Sequence, residues 1–123
     1  MATTIIKGTG RTQISLEHFL MGNDVVVRIF NQYAHIGAVA IGEYDAKNKR
    51  ASVSVVTRLG HKDDAIAKKA AYLICKSTQK TVCVIAGVHL DDITLEEIKI
   101  FQKNGDIIIE KFINSIRSNL QTV

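Results

Sequence analysis

The sequence has no proline, no tryptophan and only two cysteines in 123 residues. Nothing in it resembles an interdomain linker, and a collagen-like chain is excluded. Cys75 and Cys83 lack metal-ligand spacing and cannot make a disulfide framework. Zinc-ribbon and disulfide-stapled secreted classes are therefore set aside, and a reducing cytoplasm is the expected setting. Long apolar runs are also missing. No uncharged run reaches the length of a membrane span, and the opening MATTIIKGTG lacks the apolar stretch of a signal peptide. Charge of neither sign dominates. Sixteen basic against twelve acidic residues leave a formal +4, mild for a dedicated nucleic-acid binder. Neither nucleic acid nor membrane is expected as a partner.

What is present fits a soluble globular protein: 46% hydrophobic and 23% charged residues. A chain of 13.6 kDa forms one domain, residues 1–123, and buries roughly two thirds of its unfolded surface without staples.

The first half reads as strands. Gln13 to Leu20 opens with Ile14 and Leu16 on one face and Ser15 and Glu17 on the other. Gly22-Asn23 is a turn signal. Asp24 to Phe30 sets Val25, Val27 and Ile29 against Val26, Arg28 and Phe30. His35 to Glu43 and Arg50 to Thr57 are strands around the polar loop at residues 45–49, and Thr3 to Lys7 adds a further one. After Gly60 the period changes. Apolar residues at 66, 70, 73 and 74 predict a helix over His61 to Ser77, with Lys62, Lys68, Lys69 and Lys76 on the wet face. Thr81 to Val88 is a continuous apolar run of the kind found in a strand buried on both faces. Thr94 with Glu97 forms a capping box. The helix it starts runs toward Leu120, with Asn104-Gly105 as a kink or break. Its apolar residues are too many for one stripe, and Ile100, Ile107, Ile109 and Ile113 need cover, which predicts a homo-oligomer with a homodimer as default. The expected fold is α+β: an antiparallel β-meander followed by helix, strand and helix.

Three of the four histidines fall at element ends. If residues 36–43 and 50–57 pair as a hairpin, His35 lies beside Arg58, Gly60 and His61. If the next helix is a crossover to a parallel strand, His89 and Asp91 open on the same rim. The N-terminus of that helix offers unpaired N–H groups and the positive end of a dipole. With Arg58, His61 and Lys62 it suits a phosphate or carboxylate, and Gly37 and Gly87 let a ligand approach the backbone. The expected ligand-binding set is His35, Gly37, Arg58, Gly60, His61, Lys62, Gly87, His89 and Asp91. A bland account reads Arg58 and Lys62 as solvated charges, and Asp63 and Asp64 as acids suited to a first helical turn. His35, His61 and His89 also make an alternative three-ligand metal site, although no pair has the i, i+3 or i, i+4 spacing. His18 reads as structural, and both cysteines as packed thiols. No nucleotide fingerprint, serine nucleophile or Cys–His signature is present.

The stretches Ala34-His35-Ile36-Gly37-Ala38-Val39-Ala40, Ala51 to Thr57, Gly60-His61-Lys62-Asp63-Asp64 and Ala86-Gly87-Val88-His89-Leu90-Asp91 resemble the prenylated-flavin chaperone family, which includes the small D subunit associated with gallate decarboxylase. The resemblance spans residues 10–115. It implies a fold similar to proteasome-assembly chaperones and a non-enzymatic role assisting a prenylated-FMN-dependent decarboxylase, with prenylated FMN or FMN as transient cargo. Thr57-Arg58-Leu59-Gly60 departs from the family, which has a proline-containing turn there. Two other functions remain open on the residues alone: a small metal-dependent enzyme at the three histidines, and an assembly protein acting only through its surfaces.

Overall fold

Six strands and two helices build the computed structural model, which describes residues 3–59 and 63–121. In chain order they are β1 (Thr3–Lys7), β2 (Ile14–Met21), β3 (Asp24–Phe30), β4 (Ala38–Asp45), β5 (Arg50–Thr57), α1 (Asp64–Thr78), β6 (Val82–Gly87) and α2 (Leu95–Gln121). The α+β class and the element order are those expected. One boundary differs: β4 begins at Ala38, so His35, Ile36 and Gly37 belong to the loop before it.

The strands form one sheet in the order β1-β2-β3-β6-β4-β5. The meander is thus divided. β6 enters between β3 and β4, parallel to β3 and antiparallel to β4. Strand β5 runs antiparallel to β4, so the α1 crossover from β5 steps over one strand and lands parallel to its start. The ends of β3, β5 and β6 and the start of β4 therefore share one edge of the sheet, from which both helices set out.

Alternation in the strands decides which face the helices cover. Ile14, Leu16, Val25, Val27, Ile29, Val82 and Val84 point inward and are fully buried. The floor under α1 is made of small residues. Ala38, Ala40 and Gly42 of β4 meet Ala67, Ala70 and Ala71 of α1 in the core. A Cβ on Gly42 would lie 2.9 Å from the Ala71 carbonyl oxygen and from Cys75 Cβ. Larger residues there would lift the helix off the sheet. No helix among the described residues is long and apolar enough to cross a membrane.

Three expectations need correction. The run at residues 81–88 is not buried on both faces. Val82, Val84 and Ala86 are buried under α1, whereas Cys83 and Ile85 lie half-buried on a face no helix covers. Helix α2 is unbroken at Asn104-Gly105. Asn104 is buried and donates to the Thr12 carbonyl at 2.9 Å, and Gly105 admits Ile66, whose Cδ1 would sit 3.2 Å from an added Cβ. The apolar surplus of α2 is also largely absorbed within the chain. Ile108, Ile109, Phe112 and Ile116 are buried, and Phe101 and Ile113 pack against the same core. Ile100 alone of the four residues expected to need cover is strongly exposed, at 41%. The helix is apolar on more than one side because it meets both the sheet and α1.

Phe112 is 1% exposed, and its ring lies 4.9 Å from that of His18. Phe112→Ala should lower unfolding free energy in urea by about 3–5 kcal/mol, with no change in subunit number. A dissociated but equally stable variant would show that this face of α2 is an interface rather than core.

Candidate rim site with a buried carboxylate

The rim at the end of β3, β5 and β6 is held together by side chains bonding across loops. Asp63, in the N-cap position of α1, is buried. Its side chain makes no capping bond. Instead Oδ1 accepts the Val88 N–H at 3.2 Å, and Oδ2 lies 3.5 Å from His35 Nε2. His35 Nδ1 lies 2.9 Å from the Tyr33 carbonyl. A carbonyl only accepts, so Nδ1 carries a proton there, and Nε2 faces the Asp63 carboxylate. Asn31 is also buried and clamps the third loop. It donates to the His89 carbonyl at 2.7 Å and accepts from the His89 N–H at 3.3 Å.

Two glycines allow this closeness. A Cβ on Gly37 would fall 1.8 Å from Asp63 Oδ2, and one on Gly87 would fall 1.4 Å from the His35 carbonyl oxygen. Gly37 also donates to Ala86 and accepts from Arg58, both at 2.9 Å. These glycines are contact points of the chain with itself. The expectation that they admit a ligand to the backbone is corrected accordingly.

Of the expected residues, His35, Gly37, Arg58, Gly87, His89 and Asp91 are all at this rim. The imidazoles of His35 and His89 flank one residue: His35 bonds the Tyr33 carbonyl, and the His89 ring meets the Tyr33 ring edge-on at 6.4 Å. Gly60, His61 and Lys62 lie outside the described residues. Among the described residues no group of three or more His, Cys, Asp or Glu is arranged to hold a metal ion. The alternative site of His35, His61 and His89 rests in part on the undescribed His61. Burial pushes the thiols of Cys75 and Cys83 above their ordinary range, which keeps both protonated and poor as nucleophiles.

The charges of the rim are mostly paired. His89 Nε2 donates to Asp91 at 2.7 Å. Arg11 holds Glu97 at 2.8 Å and the Asp91 carbonyl at 2.6 Å. Arg58 is different: its guanidinium donates to the neutral Ile36 carbonyl at 2.9 Å. Among the described residues no carboxylate pairs with it. The two helix tips also differ. At α2, Thr94 and Glu97 close the expected capping box, with bonds of 3.1 and 3.0 Å. At α1 the N-cap residue, Asp63, makes no capping bond with its side chain. Beside the α1 tip a groove of about 450 Å³ runs between the helices, lined by Asp63, Ile66, Lys69, Val88, Phe101 and Gly105. Tyr33 and Ile36 are half exposed at the rim, and Leu59 is fully exposed.

Sequence reasoning missed Asn31 and Tyr33 as parts of this arrangement, and it named Asp63 within a motif without its long-range role. Asp63 carried a signal, an acid at a helix start, but helix-dipole logic explained it without a long-range partner.

A family model described as prenylated flavin chaperone LpdD-like domain matches residues 8–117. The chain belongs to this family. Members of the family are chaperones by description, and this member's divided sheet is shared more widely. A solved yeast chaperone complex for 20S proteasome assembly has a chain that aligns at TM-score 0.62 and 14% identity, covering 97% of this chain and 98% of that one. At that identity the likeness is one of fold, and it agrees with the proteasome-assembly-chaperone-like architecture expected. No curated protein matches the chain.

Two outcomes test the rim as described. In Gly87→Ala the new methyl group meets backbone, which cannot swing aside. Overpacking of this kind should cost about 3 kcal/mol, with faster amide exchange at Gly37. Wild-type stability would refute the close approach. Glu97 is held below the usual carboxylate range, first by the Arg11 bond and then by the Thr94 N–H. A depressed carboxylate stabilises the fold above its unfolded pKa and loses that contribution as pH falls through the folded value. Glu97→Gln should therefore lower the melting temperature at pH 7, and the gap should close as pH falls below the usual carboxylate range. A gap independent of pH would show that the carboxylate charge does not matter.

Proposed function

We propose that this chain is a non-catalytic chaperone for a prenylated-FMN-dependent decarboxylase, and that it holds the flavin by its phosphate at the rim during maturation or delivery. The observation that carries this reading is Arg58, a cation that no carboxylate pairs with among the described residues, near the tip of α1, whose N-cap residue makes no capping bond. Backbone N–H groups at a helix N-terminus and a guanidinium are the two donors a phosphate takes best. Membership of a prenylated flavin chaperone family supports the cargo. Both cysteines are held as thiols, which favours a role without covalent chemistry at sulfur.

In this reading the apolar wall of the groove, Ile66, Val88 and Phe101, receives the flat ring system. A groove of about 450 Å³ is in the range for a small ligand, roughly 300–1,000 Å³. Tyr33, Ile36 and Leu59 stay free to meet the decarboxylase. Asp64, exposed in the first turn of α1, sets a like charge near the phosphate and keeps affinity modest, as a carrier requires.

The test is a fluorescence titration of the purified chain with FMN and with riboflavin, which lacks the phosphate. FMN should bind severalfold more tightly, as about 1 kcal/mol of phosphate contact implies. Arg58→Ala should remove most of that difference while leaving riboflavin unchanged. Equal affinity for the two would overturn the phosphate site. No binding of FMN or prenylated FMN, together with no association with a co-expressed decarboxylase, would overturn the chaperone reading itself.

A further inference from the structure

An open face of a β-sheet ordinarily alternates with its buried face as polar against apolar. The uncovered face of this sheet does not. In register across it lie Val26, Cys83 and Ile41 in one row, and Ile85, Val39 and Val56 in the next. Val56 is 71% exposed and Ile41 43%. Phe19 and Phe30 extend the patch over β2 and β3, and the guanidinium of Arg28 lies over both rings at 5.6 and 5.4 Å. Arg28 is paired to Glu17 on the same face. Polar outward residues border it: Ser15 and Asp24 near strand ends, Glu43 and Ser52 in the row beyond Ile41, and Ser54 on the edge strand β5. An apolar centre within a polar border is the anatomy of a protein interface rather than of a solvated sheet.

We propose that a second copy of this chain covers this face, the two sheets stacking about a two-fold axis that passes near Cys83. Two observations choose the occupant. The face holds a cation and an anion already joined to each other, so an identical face meets it without repulsion, as an isologous contact requires. The area also suits a pair. Six strands at about 4.8 Å and seven residues at about 3.3 Å give roughly 650 Å² per copy. A stacked pair then buries about 1,300 Å², within the range of specific stable interfaces, about 1,200–2,000 Å². Cys83 lies on β6, one of the two middle strands of the sheet, so a two-fold stack brings the two thiols close. The pairing expected from α2 is thereby moved to the opposite side of the molecule.

The experiment is sedimentation equilibrium of the full chain at micromolar concentration, with the rate of maleimide labelling of Cys83 followed as the chain is diluted. The wild type should sediment at twice the 13.6 kDa chain mass, and Cys83 should label faster as dilution separates the pair. Ile41→Glu combined with Val56→Glu should sediment as a single chain with an unchanged circular dichroism spectrum. Leu95→Glu, on an exposed residue at the start of α2, should stay paired. A monomeric wild type overturns the proposal, as does a pair that survives the double substitution or whose Cys83 labels at one rate at every concentration. A wild type that is monomeric alone but pairs with a different co-expressed protein overturns it as well, because it assigns the face to another partner. Should the double variant fail to fold, the concentration dependence of Cys83 labelling in the wild-type protein still decides.

Discussion

One carboxylate governs the geometry of the rim. Asp63 gives up most of its water, and an unpartnered buried charge costs several kcal/mol. His35 and the Val88 amide offset part of that cost. These groups come from the loops before β4 and after β6, while Asp63 itself precedes α1. The Val88 bond forms only once β6 has entered the sheet between β3 and β4. Gly37 and Gly87 are required for the same reason: each stands where a single methyl group would strike Asp63 or the His35 backbone. The rim is thus over-determined, with charge, hydrogen bonds and backbone packing demanding one arrangement.

Much of this was legible in the residues. Alternation located β3 and β5 to the residue, and the Thr94–Glu97 pair marked the start of α2 because a capping box is a local device with a local pattern. Hairpin pairing of β4 with β5 and parallel descent through α1 were enough to bring His35 and His89 to one edge. The position of β6 was not legible. Its β-branched residues would pair equally well with any neighbour, and nothing in residues 81–88 names β3 and β4. Asp63 was misread because its partners lie 28 residues before it and 25 after it, far beyond any periodic signal.

The corrections to β6 and to α2 share a cause. Counting apolar residues reveals that a chain has more of them than one interior needs, but not where the excess emerges. Helix α2 has an excess by composition, yet it lies between the sheet and α1, and both sides are filled. Strand β6 reads as doubly buried, and its outward residues are indeed apolar, but only one side is covered by this chain. Under the proposed pairing the reading of β6 is half fulfilled within the chain and half between two chains. The excess is real in both elements, and topology alone decides which of them shows it to the outside.

The contrast between the two helix tips bears on how cargo would be held. The α2 tip is closed by its own side chains, while the N-cap carboxylate of α1 is drawn inward to His35 and Val88. In the proposed reading, the structural demand on Asp63 leaves the first-turn amides of α1 to the phosphate. What remains there is weak by design of the surroundings. An exposed ion pair contributes about 0–1 kcal/mol and a helix tip about 0.3–1 kcal/mol, and Asp64 opposes both. In that reading a phosphate so held would stay bound only with help from the ring system in the groove. A partner that grips the ring more tightly would then strip the flavin from the rim without any conformational change in the carrier, and transfer would follow the difference in ring affinity alone.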